Sequence, residues 1–335
     1  MAHAPVLTFT KNGIFCPAGQ FYIDPWRPVS RALLTHGHAD HARPGNRAYL
    51  CTNAAAPVIR HRLGDLKLQT IDYGQSLEIG DASVSFHPAG HVPGSAQIRV
   101  EVDGEVWVAS GDYKTEADGL SEAFEPVKAH AFITESTFGL PVFRWPSQQS
   151  VADELNHWWR DSLSLGRTPL LGAYALGKAQ RLLKMLDPAI GPILTHGAVE
   201  IATQILRDQG YDLPPTIQVT SETDPKDHPN ALVLAPPSAY GPWARRFGRI
   251  STGFASGWMQ LRGIRRRRTV DRGFVVSDHA DWDGLNTAIR ETGADRVFVT
   301  HGYTEIFSKW LSEQGYDAQV VETEFQGDET GDVEE

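Results

Sequence analysis

Cysteine is nearly absent. Cys16 and Cys51 are the only two in 335 residues and form no C-x-x-C pair, which excludes a disulfide framework and a thiolate zinc site. Long hydrophobic runs are missing too. No stretch of about 18 apolar residues occurs, which argues against a membrane-spanning helix. The opening MAHAPVLTFTKNG lacks the charged-then-apolar order of a secretory leader. The expected location is the cytoplasm, with no membrane partner. Positive charge is in deficit: 31 Lys and Arg stand against 41 Asp and Glu, a formal net charge of -10. Because a phosphate backbone is held by cations that displace counterions, this balance at first argues against a nucleic-acid partner.

The distribution of charge reverses that argument. Seven acids fall in the last fourteen residues, Glu322, Glu324, Asp328, Glu329, Asp332, Glu334 and Glu335, with no base among them; taking those seven charges from -10 leaves -3 for the body. Nine arginines crowd a 28-residue stretch: Arg245, Arg246, Arg249, Arg262, Arg265, Arg266, Arg267, Arg268 and Arg272. A solvated face would account for such a run, and so would a track for phosphates. Hydrophobic residues at 41% and charged residues at 21% are ordinary globular values. The length exceeds one simple core, so two domains, or one carrying an insertion, are expected.

Residues 1–140 alternate short β-rich runs with Gly, Pro and Asp punctuation: RALLTH, ASVSFH, AQIRVEV, EVWVASGD and AHAFITES. From Ser150 the period becomes helical in VADELNHWWRDSL and GKAQRLLKML, with the strand-like TPLLGAY and ALVLAPP between helices, which predicts a small α/β unit with a parallel sheet. After about residue 270 two strands return, GFVVSDH and RVFVTHG, each reaching a histidine. The acidic end is expected to be disordered.

The strongest chemical signal is Thr35-His36-Gly37-His38-Ala39-Asp40-His41, directly after the apolar ALL. Four ligand-capable side chains within six residues, at a strand-to-loop junction, suit two metals better than one. His91 in AGHVPGS, Asp112 at the end of VWVASGD and His301 at the end of RVFVTHG lie where further ligands would be needed. Imidazole and carboxylate donors suit zinc, and the carboxylate-rich position would admit manganese. Two divalent ions in such a site activate water for in-line attack on phosphorus.

Asp24 in FYIDP, the His36 to His41 cluster, His91 and Asp112 match in order the four motifs of the metallo-β-lactamase fold. Glu135 in ITEST, His279 in VVSDHADW, His301 in FVTHG and the phrase AYALGKAQRLL resemble the additional motifs of its β-CASP nucleases. CPAGQFYIDPWRPVSRALLTHGHADHARPG, TFGLPVFRWP and STGFASGWMQLRG resemble the bacterial ligase-associated DNA exonucleases.

The resemblance covers nearly residues 5–320. It implies an α/β fold: a four-layer αββα metallo-β-lactamase domain in two parts, 1–148 and 269–321, interrupted by an α/β β-CASP domain at 149–268 and followed by the acidic tail 322–335. It implies one metal on His36, His38 and His91, another on Asp40, His41 and His301, and Asp112 bridging them. Asp24 would orient a ligand histidine from behind. The implied activity is metal-dependent DNA exonucleolysis, trimming ends before sealing, with a functional link to a DNA ligase. Asp40, Asp112, Glu135 and His279 are the expected catalytic residues. His279 would be the general acid, with Glu135 orienting it.

Gly172 to Lys178 has P-loop spacing, but Ala179 stands where a metal-holding Ser or Thr belongs, which argues against an ATPase. Lys178 at a helix start remains a candidate phosphate contact. Ser251, Thr252 and Ser256 offer hydroxyls to a terminal phosphate, and Arg265, Arg266, Arg267 and Arg268 are candidate backbone contacts. Phe254 and Trp258 read first as core. His87 and His196 read as structural.

An RNA-processing ribonuclease of the same branch is the alternative, since 2′-hydroxyl contacts rather than catalytic residues separate the sugars. A small-molecule lactonase or thioesterase would leave Glu135 and His279 without a role. A catalytically silent DNA-binding module would need broken ligands, and every expected ligand is present.

Overall fold

The computed structural model describes residues 5–324; most of the acidic tail, 325–335, lies outside the described residues. The chain forms two compact units. The first runs from the first described residue to Ala117, then through Ser121–Val142, and again from His279 to the last described residue. The second takes Asp118–Leu120 and Phe143–Asp278. The architecture is mixed α/β, with three sheets among the described residues.

In the first unit, β1 (Thr8–Thr10), β2 (Gly13–Cys16), β3 (Phe21–Ile23), β4 (Ala32–Leu33), β5 (Tyr49–Thr52) and β6 (Leu68–Ile71) form a sheet in sequence order, and α1 (Ala56–Leu63) connects its last two strands. A second sheet starts with β7 (Ser76–Ile79), β8 (Ala82–Pro88), β9 (Ala96–Val102), β10 (Glu105–Ala109) and β11 (Ala131–Ser136). Alternating side chains of the two sheets share one core: Ile14, Phe21, Ile23, Leu33 and Leu50 from the first meet Val84, Phe86, Ile98, Val100 and Ile133 from the second. Each fully buried aliphatic or Phe side chain contributes about 1.5–3 kcal/mol relative to exposure. Ala32, Cys51, Ala56 and Ile59 form a smaller core between the first sheet and α1.

The second unit opens with α2 (Gln148–Ser164), whose N-cap Ser147 accepts a hydrogen bond from the Ser150 amide. Its buried stripe is Val151, Leu155, Trp158, Trp159 and Ser162, the spacing of one helix face. After β12 (Thr168–Gly172) come α3 (Lys178–Met185), β13 (Ile193–Thr195), α4 (Gly197–Asp208), β14 (Ile217–Gln218), β15 (Leu232–Ala235), β16 (Ile250–Ala255), α5 (Arg262–Arg267) and β17 (Arg272–Phe274). These six strands pair in parallel in the order β14-β13-β15-β12-β16-β17.

Back in the first unit, α6 (Trp282–Thr292), β18 (Arg296–Gly302), α7 (Thr304–Glu313) and β19 (Asp317–Val320) complete the second sheet as β19-β18-β11-β10-β9-β8-β7. Trp282, Leu285, Ile289, Phe307 and Leu311 of α6 and α7 cover its outer face over Val108, Phe132 and Val299. No helix among the described residues is long and apolar enough to cross a membrane.

Cys16 and Cys51 are both free and fully buried. Burial raises both thiols, that of Cys51 to about 12 against the weaker pull of Arg60. Because the thiolate is the reactive form, neither should be alkylated by iodoacetamide at pH 8 in the folded protein, and both should react after denaturation. Mass spectrometry checks this; rapid native labelling of either would contradict its burial.

Candidate metal centre

The cluster motif occupies the loop after β4, and each further ligand leaves a strand of the second sheet. His91 follows β8, Asp112 follows β10 and His301 lies within β18. His36, His41, His91, Asp112 and His301 are all buried, while Asp40 keeps 23% of its side chain exposed. Ligand atoms of His36, His38, His91 and Asp112 lie within 4.8 Å of one another.

Asp112 is the hub. Its Oδ2 lies 3.6 Å from His36 Nε2, 3.4 Å from His41 Nε2 and 3.8 Å from His91 Nε2, and its Oδ1 lies 3.0 Å from His301 Nε2. His41 Nε2 is also 3.6 Å from Asp40 Oδ2. Yet Asp112 Oδ1 and His36 Nε2 are buried and make no hydrogen bond. Two ligands about 2.1 Å from a tetrahedral ion stand about 3.4 Å apart. Most of these separations therefore suit atoms converging on a shared cation rather than on each other, and the residues fit a metal.

Protonation follows the same clustering. Burial holds the His36 imidazole well below its usual range, helped by His41, His91 and His38 against the pull of Asp112, so its nitrogen is an electron donor. Burial would also depress His41, but the carboxylates of Asp112, Asp40 and Asp24 outweigh it and hold that ring well above. Burial would raise Asp112, but His41, His301 and His279 keep it well below the usual carboxylate range. Ligands bind metal as bases, so an ion here would displace the proton from His41.

Local bonds aim these groups. Asp24 accepts from the Thr35 amide at 2.8 Å, the Thr35 hydroxyl at 2.5 Å and His41 Nδ1 at 2.8 Å, which turns His41 Nε2 toward Asp112. The hydroxyl of Ser95 accepts from the His91 amide at 3.1 Å, and that of Ser136 donates to the His301 carbonyl at 2.7 Å. Two glycines let neighbouring chain approach the ligands. Gly111 has φ +58 and would place a Cβ 2.6 Å from Thr35, and Gly302 has φ +95 and would place one 2.3 Å from the Ser136 carbonyl.

Beside the cluster, His279 Nδ1 lies 2.8 and 3.0 Å from the two oxygens of Glu135, and the Tyr113 amide donates to Glu135 Oε1 at 2.8 Å. The His279 ring packs 4.6 Å from that of His91. His279 does not end a strand, contrary to the sequence pattern. β17 stops at Phe274, and the Ser277 carbonyl accepts from the Arg181 guanidinium instead of a strand neighbour.

The candidate phosphate contacts all belong to the second unit. Lys178 is buried, with Nζ 3.6 Å from Asp278 and 4.5 Å above the Tyr174 ring. Ser251 accepts from Trp158 Nε1, Thr252 binds Asp271, and Ser256 accepts from the Trp258 amide. Arg265, Arg266 and Arg267 are exposed on α5; Arg268 follows it, 4.2 Å over buried Phe254. None of these four forms an ion pair among the described residues. His87 sits between Ser85 and Glu125 at 3.0 Å each, and His196 caps α4. The sequence pattern gives no role to Thr35, although it stands beside His36, nor to the Tyr113 amide, for which a side-chain pattern carries no signal.

No family model matches the chain. It is 28% identical over 316 residues to a probable DNA ligase of Opitutus terrae, matching 93% of this chain and 30% of that protein. It is 35% identical over 125 residues to an endoribonuclease YSH1 of Yarrowia lipolytica, across 36% of this chain and 15% of the relative. It is 29% identical over 207 residues to ribonuclease TTHA0252 of Thermus thermophilus, across 53% and 45%. The chain thus spans less than half of each of these relatives. A solved protein of unknown function from Enterococcus faecalis shares the fold, with TM-score 0.57 and 12% identity over 80% of this chain and 74% of that one.

Asp24 has φ +41, a conformation Asn also tolerates. Asp24→Asn therefore isolates the loss of the anion behind His41. Zinc affinity, read by chelator competition, should fall about 10–100-fold; an unchanged affinity would show that His41 needs no such partner.

Proposed function

This chain belongs to the β-CASP branch of the metallo-β-lactamase superfamily, and on that footing we propose that it is a two-metal DNA exonuclease that trims ends before ligation. The carrying observation is the buried Asp112-centred cluster with the His279–Glu135 pair beside it. The proposed architecture is a four-layer αββα domain, 1–148 and 269–321, with a β-CASP domain at 149–268. Match over 93% of the chain to a ligase-named relative favours DNA. Ribonucleases among the partial relatives supply the second reading, RNA cleavage.

His36, His38 and His91 would hold one ion, Asp40, His41 and His301 the other, and Asp112 both. Zinc is the first expectation, with manganese admissible. Bound there, divalent ions supply Lewis-acid polarisation and an activated water near neutral pH. His279 does the remaining proton work. Glu135 accepts a hydrogen bond from Nδ1 and fixes the ring, so Nε2 of the doubly protonated imidazole is the nitrogen that presents a proton to the departing oxygen. Arg265 to Arg268 would contact the polynucleotide backbone, with Lys178, Ser251, Thr252 and Ser256 as further candidates once their internal bonds are rearranged.

Metal-loaded protein incubated with single- and double-stranded DNA and RNA, each labelled separately at either end, tests the reading. Mononucleotide release from DNA is expected; release from RNA alone would select the second reading, and inertness on all four would remove both. His279→Ala should retain both metals and slow cleavage about 10²–10⁴-fold, while a substrate with sulfur as leaving atom, which departs unprotonated, should recover most of the loss. Equal slowing on both substrates would assign His279 to positioning instead. Replacing Arg265 to Arg268 with Ala should flatten the salt dependence of binding by about 0.7 in log-log slope per lost single-strand contact. An unchanged slope would make the run an ordinary solvated face.

A further inference from the structure

The metal-binding loop is gripped from outside at two carbonyls. Arg62, on α1, donates through Nη1 to the Gly37 carbonyl at 2.6 Å, the peptide between His36 and His38. At the other end Arg43 donates through Nε to the Asp40 carbonyl at 3.0 Å, directly before His41. Its Nη1 reaches the Trp26 carbonyl at 3.2 Å and its Nη2 the Glu324 carbonyl at 2.8 Å.

One planar guanidinium thus joins three segments, and all three bear on the same half of the cluster. The Asp40 carbonyl belongs to one candidate ligand and precedes another. Trp26 lies two residues beyond Asp24, whose carboxylate holds His41. Glu324 ends the described segment after β19, the strand paired with β18, which carries His301. All three bonds of Arg43 go to carbonyls, so its rigid fork fixes relative positions rather than neutralising an acid. The Glu324 carboxylate pairs instead with Arg27 at 2.5 Å, both about half exposed, a contact of small worth.

We propose that Arg62 and Arg43 are positioning residues that set the two halves of the loop separately, Arg62 the His36/His38 half and Arg43 the Asp40/His41 half, with the backbone at Glu324 completing the second brace. This rests on the reading that the cluster holds two ions. A charge-assisted bond to each carbonyl fixes the peptide from which the ligands project, and loss of such outer support costs about 10–100-fold in metal affinity.

The test is zinc competition against a chromophoric chelator that resolves two equivalents. His91→Ala and His301→Ala assign each equivalent to its half, and thermal unfolding of each metal-free protein reports folding. Arg43→Ala, and a chain ended at Val321, should each weaken the His301-assigned equivalent about 10–100-fold and spare the other. Arg62→Ala should do the reverse. Arg43→Lys, which can reach one carbonyl, and Arg62→Lys should each fall between the unmodified protein and the matching Ala variant, and these two Lys variants carry the comparison if an Ala variant does not fold. Arg27→Ala removes the exposed ion pair and the Arg27 bond to the Lys11 carbonyl, neither of which touches the cluster, and should leave both equivalents as they were. Equal weakening of both equivalents in every variant, no weakening in any, or a loss in Arg27→Ala equal to that of truncation would overturn the proposal. Failure of the unmodified protein to bind zinc would instead remove the two-metal reading beneath it.

Discussion

A carboxylate buried among four imidazoles is the constraint on which the rest of the structure turns. Removing Asp112 from water costs several kcal/mol unless charge and coordination offset it, and its protein neighbours only partly do so, because Oδ1 makes no hydrogen bond despite lying 3.0 Å from His301. The fold keeps the group there nonetheless. Thr35 packs against Gly111, Asp24 takes up both Thr35 and His41, and Ser136 holds the carbonyl of His301. Such outlay on placing bases around one point is intelligible when a cation completes the site.

The neighbouring pair solves a different problem. A general acid must carry its proton in a fixed direction, and a carboxylate facing Nδ1 with both oxygens would fix the His279 ring so that, doubly protonated, it donates from Nε2. Glu135 is itself fixed by the amide of Tyr113, the residue after Asp112. The peptide that aims the hub therefore also aims the partner of His279, so movement at residues 112–113 would disturb the cluster and the His279–Glu135 pair together.

What was legible in the sequence follows from this arrangement. His36, His38, His41, His91, Asp112 and His301 were readable because each stands after or within a short apolar strand, and a sheet edge brings such ends together. Strand periodicity overreached at His279, where a parallel strand stops five residues early and a side chain, Arg181, takes the carbonyl. Hydroxyls at Ser251, Thr252 and Ser256 could be read as available, but their partners Trp158, Asp271 and the Trp258 amide were not foreseeable from local pattern. Arg43 and Arg62 were invisible for a related reason: they recognise backbone carbonyls, which every sequence has everywhere.

The division of labour between the units bears on substrate choice. Every residue of the cluster and of the His279–Glu135 pair belongs to the first unit, and the arginine run belongs to the second. The first set would act on phosphorus, an attacking water and a leaving oxygen, all common to DNA and RNA. Sugar identity is read through the 2′ position and through how the strand is held, so discrimination has to come from residues outside that set. Exchanging the second unit between relatives should therefore shift nucleic-acid preference while the metal chemistry stays as it was.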